Sequence, residues 1–143
     1  MLMIALTVSA YRTYSVRQEV RAALAAVSEV QTLVAHTFDR TGVPLLSEGD
    51  TPALVSPPHR YIETVTIERG RIAIRFGSDA DERLRGRSLY LTPFETVDGE
   101  VSWLCGNRPA DVGLYPLGLF GGTAPPAQLS TTVEPRYLPV ECR

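Results

Sequence analysis

Few residues in this chain are of types that do chemistry. Cys105 and Cys142, His36 and His59, and the acidic run Asp79, Asp81 and Glu82 stand out. An enzyme needs a convergent set of titratable groups. His36 falls within a helical pattern and His59 in a proline-rich stretch, and each reads as a surface residue. No G-x-S-x-G elbow is present. Gly121-Gly122 sits among prolines rather than between a strand and a helix, so it does not cradle phosphate. The acidic run lacks the alternating spacing of a calcium loop. Arg83, Arg85 and Arg87 follow it closely, so it reads as a solvated, self-paired loop. Zinc needs four ligands in closely spaced pairs, which two cysteines do not supply. The expectation is no catalysis, no metal, no cofactor and no small-molecule substrate.

The chemistry left to the cysteines is oxidation. They bracket a segment whose residues 106–140 hold five glycines and six prolines, yet carry Leu114, Tyr115, Leu117, Leu119, Phe120 and Leu129. Alone, such a segment would not stay folded. A Cys105–Cys142 disulfide closing a loop of this size would stabilise the fold by about 4 kcal/mol through chain entropy. It would also imply an oxidising compartment. The alternative is two unpaired buried thiols in a cytosolic protein, which leaves the Pro/Gly segment without a staple.

The element that must position this loop is a long helix. Tyr11–Arg40 contains no glycine or proline. Val16, Val20, Ala23, Val27, Val30, Val34 and Phe38 recur in steps of three and four, which places them on one helical face. The pattern extends back through Met1–Ala10, so a helix over residues 3–39 would be roughly 55 Å long. That exceeds the width of a small domain, so one end must project. Gly42 and Pro44 end the helix. The run Met1–Ala10 is about half of the ~20 apolar residues a membrane span needs. It reads as the remnant or membrane-distal half of an anchor, or else as a buried helix start. Tyr11, Arg12, Tyr14 and Arg17 then resemble an interfacial belt.

After the proline-rich connection 41–60 the period changes to two. Val65 and Ile67 alternate with polar residues, then Ile72, Ile74 and Phe76 do so, and Arg69-Gly70 reads as the turn between them. Ser88–Thr92 forms a third strand with Leu89 and Leu91 inward, stopped by Pro93. Asp98-Gly99 marks a turn into Val101–Cys105, with Val101, Trp103 and Cys105 on one face. Four short strands with hairpin links predict an antiparallel meander, whose apolar face the helix must cover. The net charge is −2 and all fourteen basic residues are arginine, so no global charge points to nucleic acid or to an anionic membrane. The 44% hydrophobic content fits an ordinary globular chain.

In order and spacing, these pieces resemble a type IV pilin. AYRTYSVR at 10–17 resembles the segment after the buried hydrophobic stretch of pilins. TIERGRIAIRFG at 66–77 resembles their first hairpin, SLYLTP and VSWLCG their third and fourth strands, and RYLPVECR at 136–143 their closing cysteine motif. The resemblance spans nearly the whole chain. It implies an α+β fold: a long N-terminal helix on a four-stranded antiparallel β-meander, with a C-terminal disulfide-closed loop. The division it implies is a helix over 1–40, projecting over 1–20 and packed over 21–40. A head over 41–143 follows, built of the 41–60 loop, the 61–105 meander and the 106–143 loop. The sequence lacks the processed start of a pilin, so its leader and the beginning of its mature helix are expected to be missing from it.

The implied function is a structural subunit of a type IV pilus supporting adhesion or motility. It would assemble through Val16, Val20, Ala23, Val27, Val30, Val34 and Phe38 as a homopolymer or with other pilins. It would be anchored in the inner membrane before assembly and lie on the extracellular filament afterwards. Two alternatives stand beside it. One is a minor pilin binding DNA or a surface receptor through residues 106–140; the other is a secretion-system pseudopilin, against which the disulfide loop argues. DNA binding would recruit Arg108 and Arg136, supplemented by Arg69, Arg71, Arg75, Arg83, Arg85 and Arg87 if these share a face.

Overall fold

A computed structural model describes residues 2–41, 54–55, 59–117 and 128–143. The helix comes in two pieces, α1 (Leu2–Ala26) and α2 (Ser28–Thr41). The interruption at Val27 is mild. Val27 N–H still donates to Ala23 C=O at 3.3 Å, and Gln31 N–H to Val27 C=O at 3.1 Å. The Thr32 hydroxyl donates to Ser28 C=O at 3.1 Å, a back-bond of the kind that bends helices.

The sheet contains β1 (Leu54–Val55), β2 (Ile62–Glu68), β3 (Arg71–Phe76), β4 (Ser88–Glu95), β5 (Val101–Cys105) and β6 (Tyr115–Pro116). Strands β1 to β5 are neighbours in chain order, all antiparallel, and β6 pairs with β4. The four expected strands are all present. The two-residue strands β1 and β6 carried too short a pattern to read. The β2–β3 turn is Arg69-Gly70, with both residues at positive φ, 52° and 89°. That is the twist-matched two-residue hairpin, and it costs Arg69 a conformation glycine takes freely. A register shift between Ile62 and Thr64 explains why the buried residues of β2 are Ile62, Val65 and Ile67 rather than a strict alternation.

Pro93 does not stop β4, contrary to expectation. Gly106 N–H donates to Tyr90 C=O and Thr96 N–H to Glu100 C=O. Antiparallel ladders alternate bonded and non-bonded pairs, so Pro93↔Trp103 falls at a non-bonded pair. On its other side β3 ends at Ile72↔Leu91 and β6 begins at Phe94↔Pro116. The missing N–H therefore lies where no ladder asks for one.

The core joins the helix stripe to Val65, Ile67, Ile72, Ile74, Phe76, Leu89 and Leu91. The helix was expected to be the meander's one long apolar cover. The chain's end shares that role, with Val133, Tyr137, Leu138 and Cys142 all buried in the same cluster. Two 3₁₀ turns, Pro135–Tyr137 and Val140–Cys142, shape this end. The far end of β4 is buried on both faces, since Thr92, Phe94 and Glu95 are all inaccessible. The expected one-sided sheet thus holds for β3 and not for that end of β4. Leu45 and Leu46 of the 41–60 connection lie outside the described residues.

Candidate assembly surface and disulfide-closed loop

Cys105 and Cys142 form a disulfide with a Cα–Cα distance of 4.5 Å. The residue after the first cysteine makes the closure fit. Gly106 has φ +64°, and a Cβ placed there would lie 2.5 Å from Cys142 C=O. Only glycine lets the chain end approach so closely. Asn107 N–H then donates to Cys142 C=O at 3.2 Å.

The loop's returning limb is stitched to the start of β4. Thr131 Oγ1 donates to Ser88 C=O at 2.6 Å, Ser88 N–H donates to Thr132 Oγ1 at 2.8 Å, and Arg87 Nη1 donates to Thr132 C=O at 3.0 Å. Across the loop, Thr131 N–H donates to Asn107 Oδ1 at 3.1 Å. Sequence reasoning found the staple and missed these stitches, because a threonine in a Pro-rich run signals no partner. Leu119 and Phe120 lie outside the described residues.

Polar contacts help to anchor the helix to the head. Arg17 Nη2 donates to Arg136 C=O at 2.7 Å, and Asp81 N–H donates to Glu19 Oε1 at 2.9 Å. Burial raises the Glu19 carboxyl above its ordinary range, and the Asp81 charge adds to this. The Asp81 N–H, Arg60 and Arg85 oppose it. The acidic run is engaged as a structural turn: Asp81 Oδ1 takes Arg83 N–H at 3.0 Å and Arg83 Nη1 at 3.1 Å. His59 accepts the Tyr61 N–H at 3.3 Å, and His36 is exposed on α2. Among the described residues, no group of three His, Cys, Asp or Glu is placed to hold a metal ion.

The seven stripe residues named for assembly are where their spacing put them, on one face, but that face is internal. Val16, Val20, Ala23, Val27, Val30, Val34 and Phe38 are each 8% exposed or less. They pack into the subunit's own core. Val16 and Val20, ahead of residue 21, are buried as well. The tail of the chain, Val133–Leu138, supplies the cover that the sheet was not expected to give. The large apolar side chains the helix leaves open are Val8, Tyr11 and Tyr14 before the stripe, 49%, 69% and 59% exposed, and Leu33 beside it, 43% exposed.

The arginines proposed as a nucleic-acid patch are mostly committed. Arg71 pairs with Glu68 at 2.8 Å, Arg75 with Glu63 at 3.2 Å and Arg136 with Glu134 at 2.8 Å. Arg85 Nε donates to Ala80 C=O at 2.9 Å. The ion pairs of Arg71, Arg75 and Arg136 lower the net potential offered to phosphate, whereas the bond of Arg85 to a neutral carbonyl leaves its charge in place.

A family model for pilin, described as a bacterial filament protein, matches residues 16–143 of the chain. The chain belongs to the pilin family. The pilin is thus a subunit of a bacterial surface filament, and its partners are other pilin subunits. The match takes in both cysteines, the sheet and the packed helix together. No curated protein matches the pilin. Among its described residues, no helix is long and apolar enough to cross a membrane.

A feature that local sequence pattern does not announce lies beside the staple. A cleft of about 200 Å³ opens between the helix and β5, lined by Leu24, Gln31, Leu91, Trp103, Glu141 and the disulfide. Trp103, expected on one face with Val101 and Cys105, is only partly buried there, because β5 is the last strand of the sheet path. Periodicity assigns a strand face and cannot tell an edge strand from a central one.

Proposed function

We propose that the pilin is a structural subunit of a type IV pilus that supports adhesion or motility, with the head over 41–143 displayed on the filament. One observation supports this most. A single helix carries a face wholly consumed by its own head and, nearer its N-terminus, a face with two tyrosines and a valine left uncovered. Exposed aromatic side chains in a row are unusual on a monomer's surface and mark a contact site. We place the change from projecting to packed helix at Val16.

Residence in the inner membrane before assembly is part of the same proposal, and the apolar run Met1–Ala10 motivates it. The test is to express the chain in cells with a pilus assembly system but no pilin of their own. Sheared filaments containing the chain, together with restored surface attachment or twitching, are the expected result. Cells that accumulate the folded, disulfide-bonded chain and release no filaments would overturn the proposal.

A minor, binding pilin is the second reading, favoured by a cleft of about 300 Å³ between the two limbs of the loop. Gly106, Asn107, Pro109, Gln128, Leu129 and Ser130 line it. Filaments that form with wild-type yield but lose attachment on Asn107→Ala would favour this reading over a purely structural one.

A further inference from the structure

We propose that the cleft lined by Leu24, Leu91, Trp103 and the disulfide receives a tyrosine of the Tyr11–Tyr14 turn from the helix of a second copy of this chain. The inference rests on the filament reading and names the contact that reading leaves open. At about 200 Å³ the cleft is smaller than the pockets that hold small molecules, and its walls are apolar. It suits an inserted aromatic side chain. Gln31 and Glu141 add polar groups to the lining, and Glu141 is exposed at the cleft's edge. A tyrosine matches both features, with a ring for the walls and a hydroxyl for these polar groups.

The chain carries such tyrosines in an exposed position. Tyr11 and Tyr14 lie one helical turn apart, with Val8 on the same flank. Between Leu2 and Gln18 the only charged residues are Arg12 and Arg17, both positive, and Arg17 is tied to Arg136. Arg12 is exposed beside Tyr11, and Glu141 is exposed beside the cleft. The two surfaces are therefore complementary in charge.

A single chain cannot satisfy both. Tyr11–Tyr14 and Leu24–Gln31 lie on one run of helix, roughly 20–25 Å apart along its axis. The tyrosines cannot fold back onto their own cleft, so the occupant must come from another copy. Because the donating and accepting surfaces differ, the contact is heterologous and propagates instead of closing. Aromatic anchors seated in pockets carry most of the energy of such interfaces.

Trp103 is the only tryptophan and lines the cleft, so its fluorescence reports occupancy. The experiment takes the full chain through a concentration series, following assembly by sedimentation and Trp103 by emission and acrylamide quenching. Assembly should shift the emission to the blue and protect Trp103 from quenching. The Tyr11→Ala/Tyr14→Ala variant should melt like the wild type, since both side chains are exposed, yet need about tenfold or more higher concentration to assemble. Arg12→Glu and Glu141→Arg should each weaken assembly, and the two together should restore it. If assemblies form while Trp103 stays fully quenchable, or if the tyrosine variant assembles like the wild type, the cleft proposal is overturned and the filament reading stands. A chain that remains monomeric at every concentration overturns both.

Discussion

The two halves of one helix have opposite fates. From Val16 to Phe38 each stripe position is sealed into the head. From Val8 to Tyr14 side chains of similar or greater apolar area stand in solvent. Composition does not separate them, since both halves mix valine and alanine with arginine. What differs is the neighbour. Below Val16 the sheet and the chain's tail, Val133 to Cys142, close over the stripe; above it no described part of the head covers the helix. A hydrophobic period states that a face will be buried. Which molecule buries it depends on what stands opposite.

The largest effect should come from the staple that holds the tail against the helix. Replacing Cys105 and Cys142 by serine should cost about 4 kcal/mol of stability, read as a lowered denaturant midpoint. Truncation within the packed half comes next. Val20→Ala removes two buried methyl groups and leaves a cavity, so a loss of about 2 kcal/mol is expected. Val8→Ala should change the monomer's stability by less than about 0.5 kcal/mol. Equal losses for the two valines would erase the distinction between the halves.

A smaller effect belongs to Glu19, at the start of the packed half. Its carboxyl is held above its ordinary range mainly by burial. A carboxyl with a raised folded-state pKa contributes stability that is fully present below the unfolded pKa. That contribution is lost as pH rises through the folded value. Glu19→Gln retains an acceptor for the Asp81 N–H and removes the titration. The wild type should therefore lose stability relative to this variant as pH rises through and above the ordinary carboxylate range, as urea midpoints would register. A wild type that gains on the variant over that range would contradict the sign. Smallest of all, Arg75→Ala breaks a pair whose partners are each more than half exposed. It should cost under about 1 kcal/mol, in a calorimetric melt at moderate salt.

Much of this fold was legible in the sequence, for local reasons. The stripe spacing, the alternation of Ile72, Ile74 and Phe76, and the Arg69-Gly70 turn are set by periods and turn chemistry within a few residues. The disulfide was legible because a proline-rich segment between two cysteines has little else to hold it. Other features depend on pairings that local pattern does not encode. Pro93 ends a strand unless its missing N–H faces a gap between two partner strands. Tyr137 and Leu138 looked like the end of a loop and proved to be core, because the staple at Cys142 draws them under the helix. The period of the stripe does not distinguish a subunit's own sheet from a neighbour. The cleft at Trp103 gave no signal, since it exists only where an edge strand passes a helix.

The division of the helix is most directly tested by tyrosine footprinting, comparing nitration of monomers and of sheared filaments by peptide mass mapping. Tyr137, buried in the subunit, should resist modification in both. Tyr11 and Tyr14 should react freely in the monomer and become protected in the filament. Filaments in which Tyr11 and Tyr14 react as they do in the monomer would contradict this account.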